Sequence, residues 1–250
     1  MNLSFCHKGQ TLFGVLVFFI CLTHSYADSL FFSSDPNTSL AHFPIKIVDD
    51  FSNIFVSENI APFVLGGMAT ALDWSILDRQ NALASDLNHL NIESFFDFGT
   101  FYGEGWLEGG GALGSWGIGA LTQDLRLQEF GRDMTESLID STVLVTGLKY
   151  AVDRTRPNGS PYSFPSGHTI TAFCVAPIIN QYGGIELGIS AYALATVTGL
   201  ARIDEHYHYL SDVIAGATLG IILGNSVVYK PKSISVSAIP GGLRAIWSFN

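Results

Sequence analysis

The sequence predicts an all-α protein, a bundle of about six core helices with a short C-terminal β-hairpin. Much of the chain consists of apolar segments of helical length separated by turn residues. Gly216, Gly220 and Gly224 recur at four-residue intervals, which predicts a helix face for close packing. After Lys232 the period changes, because polar and apolar residues alternate, as in a strand.

The N-terminus has the pattern of an export signal over residues 1–27. Lys8 precedes the apolar run Leu12–Leu22, and Ser25 and Ala27 occupy the two positions that signal peptidase recognises, so cleavage is expected before Asp28. The alternative is an uncleaved anchor, although the run is short for a membrane span. Residues 28–250 are then expected to form a single domain, with a catalytic core at about 95–230.

The first half of that domain contains three predicted helical segments and a glycine-rich segment. Residues 28–44 are expected to be extended, Ile45–Phe55 has helical spacing, and Pro62 is expected to start a buried helix at Phe63–Leu77. The segment Trp74–Asn91 is polar and predicts a surface turn and helix. Nine glycines in residues 98–121 favour close helix packing over a phosphate-binding loop, since no Gly-Lys-Ser/Thr follows.

Five helical stretches and the hairpin follow. The stretches are Leu125–Phe130, Met134–Tyr150, Thr169–Gln181, Ile185–Ala201 and Leu210–Tyr229, and the hairpin occupies 231–250. Glu104 and Glu108 are candidates for the rim of a site, or simply solvated charges.

Composition excludes several classes of function. Of the residues, 48% are apolar and 14% are charged, and the formal net charge of −10 argues against nucleic-acid binding. Cys6 and Cys21 lie in the signal, so Cys174 would remain alone in the mature chain, without a partner for an intrachain disulfide. The cysteine and histidine spacing does not match a zinc site.

Three short motifs concentrate cations that suit a phosphate. Arginine offers a planar fork of donors and lysine a compact charge, so Lys149, Arg156 and Arg202 could surround one oxyanion. Ser166 and Gly167, just ahead of a predicted helix, add a hydroxyl and backbone N–H groups. Taken singly, these residues are more often surface charges and a helix cap.

Two histidines and a carboxylate complete the set. His208 and Asp212 are four residues apart, and on a helix the carboxylate would accept one ring N–H and leave the other nitrogen free to attack phosphorus. His168 is then placed to protonate the leaving group and later to activate water. His206 is the rival nucleophile, but its spacing to Asp212 is off the shared helix face.

The order Lys-x6-Arg-Pro, Pro-Ser-Gly-His and Arg-x5-His-x3-Asp resembles the type 2 phosphatidic acid phosphatase (PAP2) and vanadium haloperoxidase-like superfamily, in a bacterial exported form. The resemblance implies an all-α bundle and phosphate ester hydrolysis without a metal or other cofactor. It assigns His208 as nucleophile, Asp212 as its partner and His168 as general acid. The phosphate cradle would be Lys149, Arg156, Ser166, Gly167 and Arg202.

Two departures from that pattern bear on specificity. Ala201 stands where the family usually has serine, and the link from Pro157 to Pro165 is too short for a long substrate-covering loop. The expected substrate is a phosphate mono- or diphosphate ester, such as phosphatidate, an isoprenyl diphosphate or a lipid A phosphate.

Alternative functions remain at this stage. Vanadate is expected to inhibit the phosphatase, whereas in a vanadate-dependent haloperoxidase it would be the cofactor; a non-catalytic exported structural protein is a further alternative.

The expected location is periplasmic and membrane-associated, because the apolar segments are short or interrupted for spans. A multi-span inner-membrane enzyme is the alternative. Protein partners are unknown.

Overall fold

In the computed structural model, the described residues are 50–51, 53–55, 57–74, 93–228, 234–239 and 242–247. They form a 3-10 turn at Asn53–Phe55 and seven α-helices. These are α1 (Ser57–Leu72), α2 (Glu93–Gly103), α3 (Trp106–Thr122), α4 (Leu125–Val152), α5 (Gly167–Gly183), α6 (Ile185–Asp204) and α7 (Leu210–Val228). The predicted all-α class is confirmed. The predicted signal peptide and leader lie outside the described residues.

Helix α5 lies at the centre of the bundle and packs against α4, α6 and α7. Ile170, Cys174, Val175 and Ile178 of α5 have no exposed surface. The glycines of α7 face this helix, because a Cβ at Gly216, Gly220 or Gly224 would lie within 3 Å of α5 or the residue before it: Ser166 O at 2.8 Å, Ile170 O at 2.8 Å and Cys174 O at 2.3 Å. The predicted small-residue face of α7 is therefore confirmed.

Helix α1 begins earlier than predicted, and the expectation that it is buried is wrong for its outer face, where Leu65 and Met68 are each 67% exposed. It starts at Ser57, so Pro62 lies inside the helix rather than at its start. Asn59 explains the extension, since its buried side-chain amide donates to Ile222 O at 3.3 Å and to Ser226 Oγ at 3.2 Å on α7. These tertiary bonds hold the first turns of α1 against α7 despite the backbone N–H that Pro62 lacks.

Helix α4 is continuous where two helical stretches were predicted. Asp124 caps its start by accepting from the backbone N–H groups of Arg126 and Leu127, both at 3.1 Å. Gly131 does not break the helix, because it is the point of closest approach to α3: a Cβ there would lie 2.2 Å from Trp116 N. Tertiary packing thus outweighs the low helix propensity of glycine.

The glycines of α2 and α3 have two different roles. Gly99, Gly103 and Gly119 lie in close contacts, where an added Cβ would come within 3 Å of Val197, Thr198 and Gln128. The other helix-interior glycines of α3 have nothing within 4 Å of an added Cβ: Gly109, Gly110, Gly111, Gly114 and Gly117. The prediction of close packing therefore holds for part of the segment and is wrong for these five.

Helix α7 is the one helix in the described ranges that is long and apolar enough to cross a membrane. Its mean hydropathy is 1.5, and 56% of the apolar window is buried inside the bundle. Strands β1 (Ile234–Ile239) and β2 (Gly242–Trp247) follow it and pair antiparallel, with Ile234 opposite Trp247. They lie where the alternating pattern predicts a hairpin, and the role of this pair stays a prediction.

Candidate active site

Three segments of the chain meet at one end of the bundle. Lys149 lies in the last turn of α4, Ser166 to His168 lie at the start of α5, and Arg202 lies in the last turn of α6. The turn from Arg202 to α7 then carries His208 and Asp212. Because these helix ends lie at the same pole, residues that are distant in the chain influence one another: the charges of Lys149, Arg156, Arg202 and His208 all act on His168.

The two arginines share an aromatic neighbour. The guanidinium carbons of Arg156 and Arg202 lie 5.6 Å and 5.2 Å from the ring centroid of Tyr207. Arg202 is 4% exposed, and its Nη2 donates to Thr100 Oγ1 at 2.7 Å and to the Glu205 carboxylate. These contacts bring both forks to the same side of the pole.

Some of the donors at this pole are unused. The Nε groups of Arg156 and Arg202 are buried and have no hydrogen-bond partner among the residues that the structure describes. A buried donor without a partner is costly, and an arginine fork suits the oxygens of a tetrahedral oxyanion. The donor set therefore fits a phosphate.

The pKa values of two cations at this pole are lowered. Burial lowers the pKa of Lys149 to about 8, and the charge of Arg156 adds to this effect. Burial is also the largest reason why the pKa of Arg156 is lowered. The Lys149 ammonium donates to Tyr162 O at 2.7 Å, which leaves two of its three protons for another acceptor.

His208 and Asp212 face each other across a turn. His208 is 3% exposed, and its Nδ1 lies 3.6 Å from Asp212 Oδ2, longer than a hydrogen bond; such catalytic contacts often tighten when substrate binds. His208 precedes the first residue of α7, so the pair does not share a helix face. Burial lowers the pKa of His208 to about 4 although Asp212 opposes the shift, which leaves the imidazole neutral and nucleophilic at neutral pH.

Asp212 has no exposed surface and several donors. Arg154 Nη1 donates to its Oδ1 at 2.6 Å, while Ser163 Oγ and the N–H of Tyr209, at 3.0 Å, donate to its Oδ2. Burial acts to raise the pKa of Asp212, yet these donors, His208 and the charge of Arg154 hold the pKa below its ordinary value. The carboxylate is therefore ionised and fixed in place.

His168 lies in the first turn of α5. Burial lowers its pKa to about 3, with further contributions from Arg202, His208 and other nearby cations. Ser166 is fully buried. Its Oγ accepts a hydrogen bond from Thr169 Oγ1 at 2.8 Å, and its backbone N–H donates to Asp212 O at 3.0 Å. Gly167 lies close to Lys149, since an added Cβ would be 3.7 Å from Cε.

His206, the rival nucleophile in the sequence, lies elsewhere. Its side chain is exposed, it has a positive φ of 58°, and its Nδ1 lies 2.7 Å from Asp204 O. Asp212 thus faces His208 and not His206.

Four residues at this pole were not predicted as site residues. Arg154 is visible in the sequence only as a third cation near Arg156, and Ser163, Thr100 and Glu205 give no signal in the sequence. Of the predicted rim residues, Glu104 is exposed, whereas Glu108 is only 3% exposed, so its interpretation as a solvated charge is wrong. No group of three His, Cys, Asp or Glu side chains within the described ranges could hold a metal ion.

Part of the chain is similar to known proteins. Residues 131–234 match the sequence model of the PAP2 superfamily. The match covers less than half of the chain and includes the segment from Lys149 to Asp212.

Two curated proteins match shorter segments. A lipid A 1-phosphatase of Porphyromonas gingivalis is 40% identical over 85 residues, 32% of this chain and 19% of that protein. Phosphatidylglycerophosphatase B of Bacillus subtilis is 33% identical over 92 residues, 30% of this chain and 45% of that protein. The chain therefore spans less than half the length of either relative.

Two solved structures also align. One is Aquifex aeolicus LpxE, with a TM-score of 0.46 and 24% identity over 55% of this chain and 86% of that chain. The other is a transmembrane PAP2 type phosphatidylglycerolphosphate phosphatase from Bacillus subtilis, with a TM-score of 0.33 and 22% identity over 75% of this chain and 92% of that chain.

Proposed function

We propose that the protein is a metal-independent phosphatase that hydrolyses phosphate mono- or diphosphate esters of membrane lipids through a phosphohistidine intermediate. One observation carries the proposal: the buried Nε groups of Arg156 and Arg202 have no hydrogen-bond partner within the described ranges, and they lie at the pole of neutral His208 and ionised Asp212. Phosphoryl transfer needs positioning and charge neutralisation, and this pole offers both.

In the first step, Nε2 of His208 attacks phosphorus and forms a P–N bond, while the P–O bond to the leaving alcohol breaks. Nδ1 keeps its proton and donates a hydrogen bond to Asp212, and the carboxylate stabilises the positive charge that develops on the ring. His168 donates a proton to the departing oxygen. The cations Lys149, Arg156 and Arg202 neutralise the equatorial oxygens, assisted by Ser166 and the backbone at Gly167.

In the second step, His168 removes a proton from water, which attacks the phosphohistidine. The P–N bond breaks, inorganic phosphate leaves and His208 is again neutral. A pKa of about 3 by itself would leave His168 without a proton to donate at neutral pH, so the donor role requires the substrate to raise this pKa. A phosphate ester brings about two negative charges into the cationic pole, which raises the pKa of His168 toward the range of a proton donor.

A lipid is the favoured leaving group for two reasons. Both relatives, the lipid A 1-phosphatase and phosphatidylglycerophosphatase B, are phosphatases of lipids. The outer faces of α1 and α3 also carry exposed large apolar side chains, which suit contact with a membrane: Phe63, Leu65, Met68, Leu72, Leu113, Ile118 and Leu121. We infer an exported, membrane-associated enzyme on the periplasmic side.

The test is phosphate release by the purified full-length chain from an aryl phosphate, phosphatidate, an isoprenyl diphosphate and a lipid A phosphate. We expect His208→Ala to lose at least about 1000-fold in kcat, because the nucleophile is absent. His206→Ala is the matched control and keeps its activity. Turnover should survive EDTA and be inhibited by vanadate, which mimics pentacoordinate phosphorus.

Equal rates for the wild-type chain and His208→Ala would contradict the phosphohistidine mechanism, and reversible loss of activity in EDTA would contradict a metal-free one. Faster hydrolysis of the aryl phosphate than of every lipid would contradict the lipid substrate but leave the phosphatase.

A further inference from the structure

Arg154 is held between two aromatic rings beside the catalytic carboxylate. Its guanidinium carbon lies 3.9 Å from the ring centroid of Trp74 and 3.8 Å from that of Tyr209. From this position Nη1 donates to Asp212 Oδ1 at 2.6 Å and to Ser211 Oγ at 2.8 Å. The side chain is 12% exposed, and it contacts a different oxygen of Asp212 from the one that faces the His208 ring nitrogen.

The two oxygens of Asp212 are therefore divided between two tasks. Oδ1 is bound by Arg154, and Oδ2 faces His208 Nδ1 and accepts from Ser163 and Tyr209. A guanidinium that is fixed in the plane between two rings also fixes the carboxylate that it binds. The orientation of Oδ2 toward the imidazole thus depends on Arg154.

Arg154 also sets the charge beside the nucleophile. A fully buried carboxylate without a cation tends to take up a proton, and it could then no longer accept the Nδ1 proton of His208. If Asp212 stayed ionised without Arg154, its uncompensated charge would instead favour an imidazolium, which cannot attack phosphorus. Either change removes the combination of neutral His208 and ionised Asp212 at acid pH.

Charged and titratable groups face this pair from each neighbouring element. They are Lys149 of α4, Arg154 and Arg156 of the following loop, His168 of α5, Arg202 of α6 and Asp212 itself at the start of α7. Arg154 differs from the other cations because it binds Asp212 directly, whereas Arg156 and Arg202 present unused donors.

Trp74 links α1 to two catalytic segments. It lies two residues after the end of α1 and covers Arg154. Its ring also lies edge-on to Phe164, with centroids 5.2 Å apart and an interplanar angle of 70°. Phe164 is two residues before Ser166. Trp74, which lies outside all three sequence motifs, therefore contacts Arg154 within the first motif and Phe164 just before the second.

We propose that Arg154 is a positioning residue for the His208–Asp212 pair, and that Trp74 and Tyr209 hold it in place, so that α1 contributes to the catalytic site. The proposal rests on the proposed phosphatase function. It is distinct from the phosphate cradle, because Arg154 acts on the nucleophile's partner and does not contact the substrate.

The experiment measures kcat and KM for an aryl phosphate from pH 4 to 9 with the full-length chain. For Arg154→Gln we expect kcat to fall about 30-fold or more with KM within about twofold, and the acid limb of the profile to move to higher pH. Arg154→Lys should restore the acid limb, because it keeps the charge, but only part of kcat, because it lacks the planar fork.

The aromatic clamp is tested by Trp74→Ala and Trp74→Phe. The alanine variant should shift kcat and the acid limb in the same direction as Arg154→Gln by a smaller factor, and phenylalanine should rescue both. Arg126→Gln and Trp106→Ala are matched controls, an exposed arginine and an exposed tryptophan at other places on the surface, and should match the wild type.

An NMR titration of the imidazole of His208 gives a readout that does not depend on turnover. The His208 signal is assigned by its loss in His208→Ala, and its pKa should change in Arg154→Gln: it rises if Asp212 stays ionised and falls if Asp212 takes up a proton. An unchanged pKa together with an unchanged acid limb would overturn the proposal, as would a rise in KM without a fall in kcat. Absence of wild-type turnover combined with the expected NMR shift would overturn the proposed function and leave the positioning role standing.

Discussion

In two polar regions of the same helical bundle, burial shifts pKa values in opposite directions. One is the cationic pole, formed by Lys149, Arg156, Arg202, His168 and His208. Burial and nearby positive charges lower the pKa values of Lys149, Arg156, His168 and His208. The acidic interior, formed by Glu108 of α3 and Asp140 of α4, has pKa values raised by burial, to about 7 and about 8. Their carboxylate oxygens have no hydrogen-bond partner among the described residues.

The two regions differ in whether their buried groups can become neutral by gaining or losing a proton. A buried carboxyl can take up a proton and become neutral, so the acidic interior needs no ligand at neutral pH. An arginine cannot release its proton in the accessible range, so the cationic pole keeps its charge and fits an anion. The same desolvation thus gives a neutral core at one place and a binding site at the other.

The largest effect is expected from the buried carboxyl of Asp140. Its folded-state pKa of about 8 lies above its ordinary value near 4, so the folded chain holds a proton that the unfolded chain has lost between these two pH values. The free energy of unfolding should therefore fall by about 1.4 kcal/mol per pH unit from this group as the pH rises from 4 to 8. Asp140→Asn should remove that slope.

Thermal unfolding at pH 5, 6, 7 and 8 measures the effect. Asp97→Asn removes an exposed acid of α2 and serves as the control, with the slope of the wild type expected. Identical slopes for Asp140→Asn and the wild type would show that Asp140 is ionised in the folded protein, and the contrast between the two regions would disappear.

The cationic pole can be tested by replacing one fork while keeping its charge. Arg156→Lys should lower kcat/KM about 30-fold, equivalent to about 2 kcal/mol, because a lysine cannot bind two phosphate oxygens in one plane. The measurement is initial-rate hydrolysis of an aryl phosphate, with Arg126→Lys as the control on the surface of α4. Rates that equal the wild type would exclude Arg156 from the phosphate cradle.

A smaller effect is expected at Lys149. Its pKa of about 8 means that the ammonium charge is present below pH 8 and is lost as the pH rises through that value. The rate at pH 9 should therefore drop about tenfold relative to a cradle that stays charged. Lys149→Arg should move the alkaline limb of kcat/KM to higher pH, since arginine remains charged. An alkaline limb that stays in place in this variant would assign it to another group.

Much of the bundle is predictable from the pattern of apolar residues, and the errors have identifiable causes. The ends of α5, α6 and α7 lie within a few residues of their predicted positions, because each helix has a buried face and clear turn residues. Helices α1 and α4 were predicted wrongly at Pro62 and Gly131. The contacts of Asn59 with α7 and of Gly131 with α3, neither of them readable from local propensity, decide those positions.

The candidate site divides in the same way. Lys149, Arg156, His168, Arg202, His208 and Asp212 are recognisable because each carries chemistry at a fixed spacing within a motif. Arg154 and Trp74 are not, because their roles depend on a ring stacked over a guanidinium, and these two residues come from different parts of the chain. Glu108 was expected at the surface for a related reason: a charged residue in a glycine-rich segment gives no sign of burial.

The amino-acid order alone determined which side chains can neutralise a phosphate and attack it, since those capacities belong to the residue types themselves. The tertiary structure decided which histidine faces Asp212, which cation binds that carboxylate and which acids lose contact with water. These outcomes depend on distance and on desolvation, and both arise only when helices from separate parts of the chain pack together.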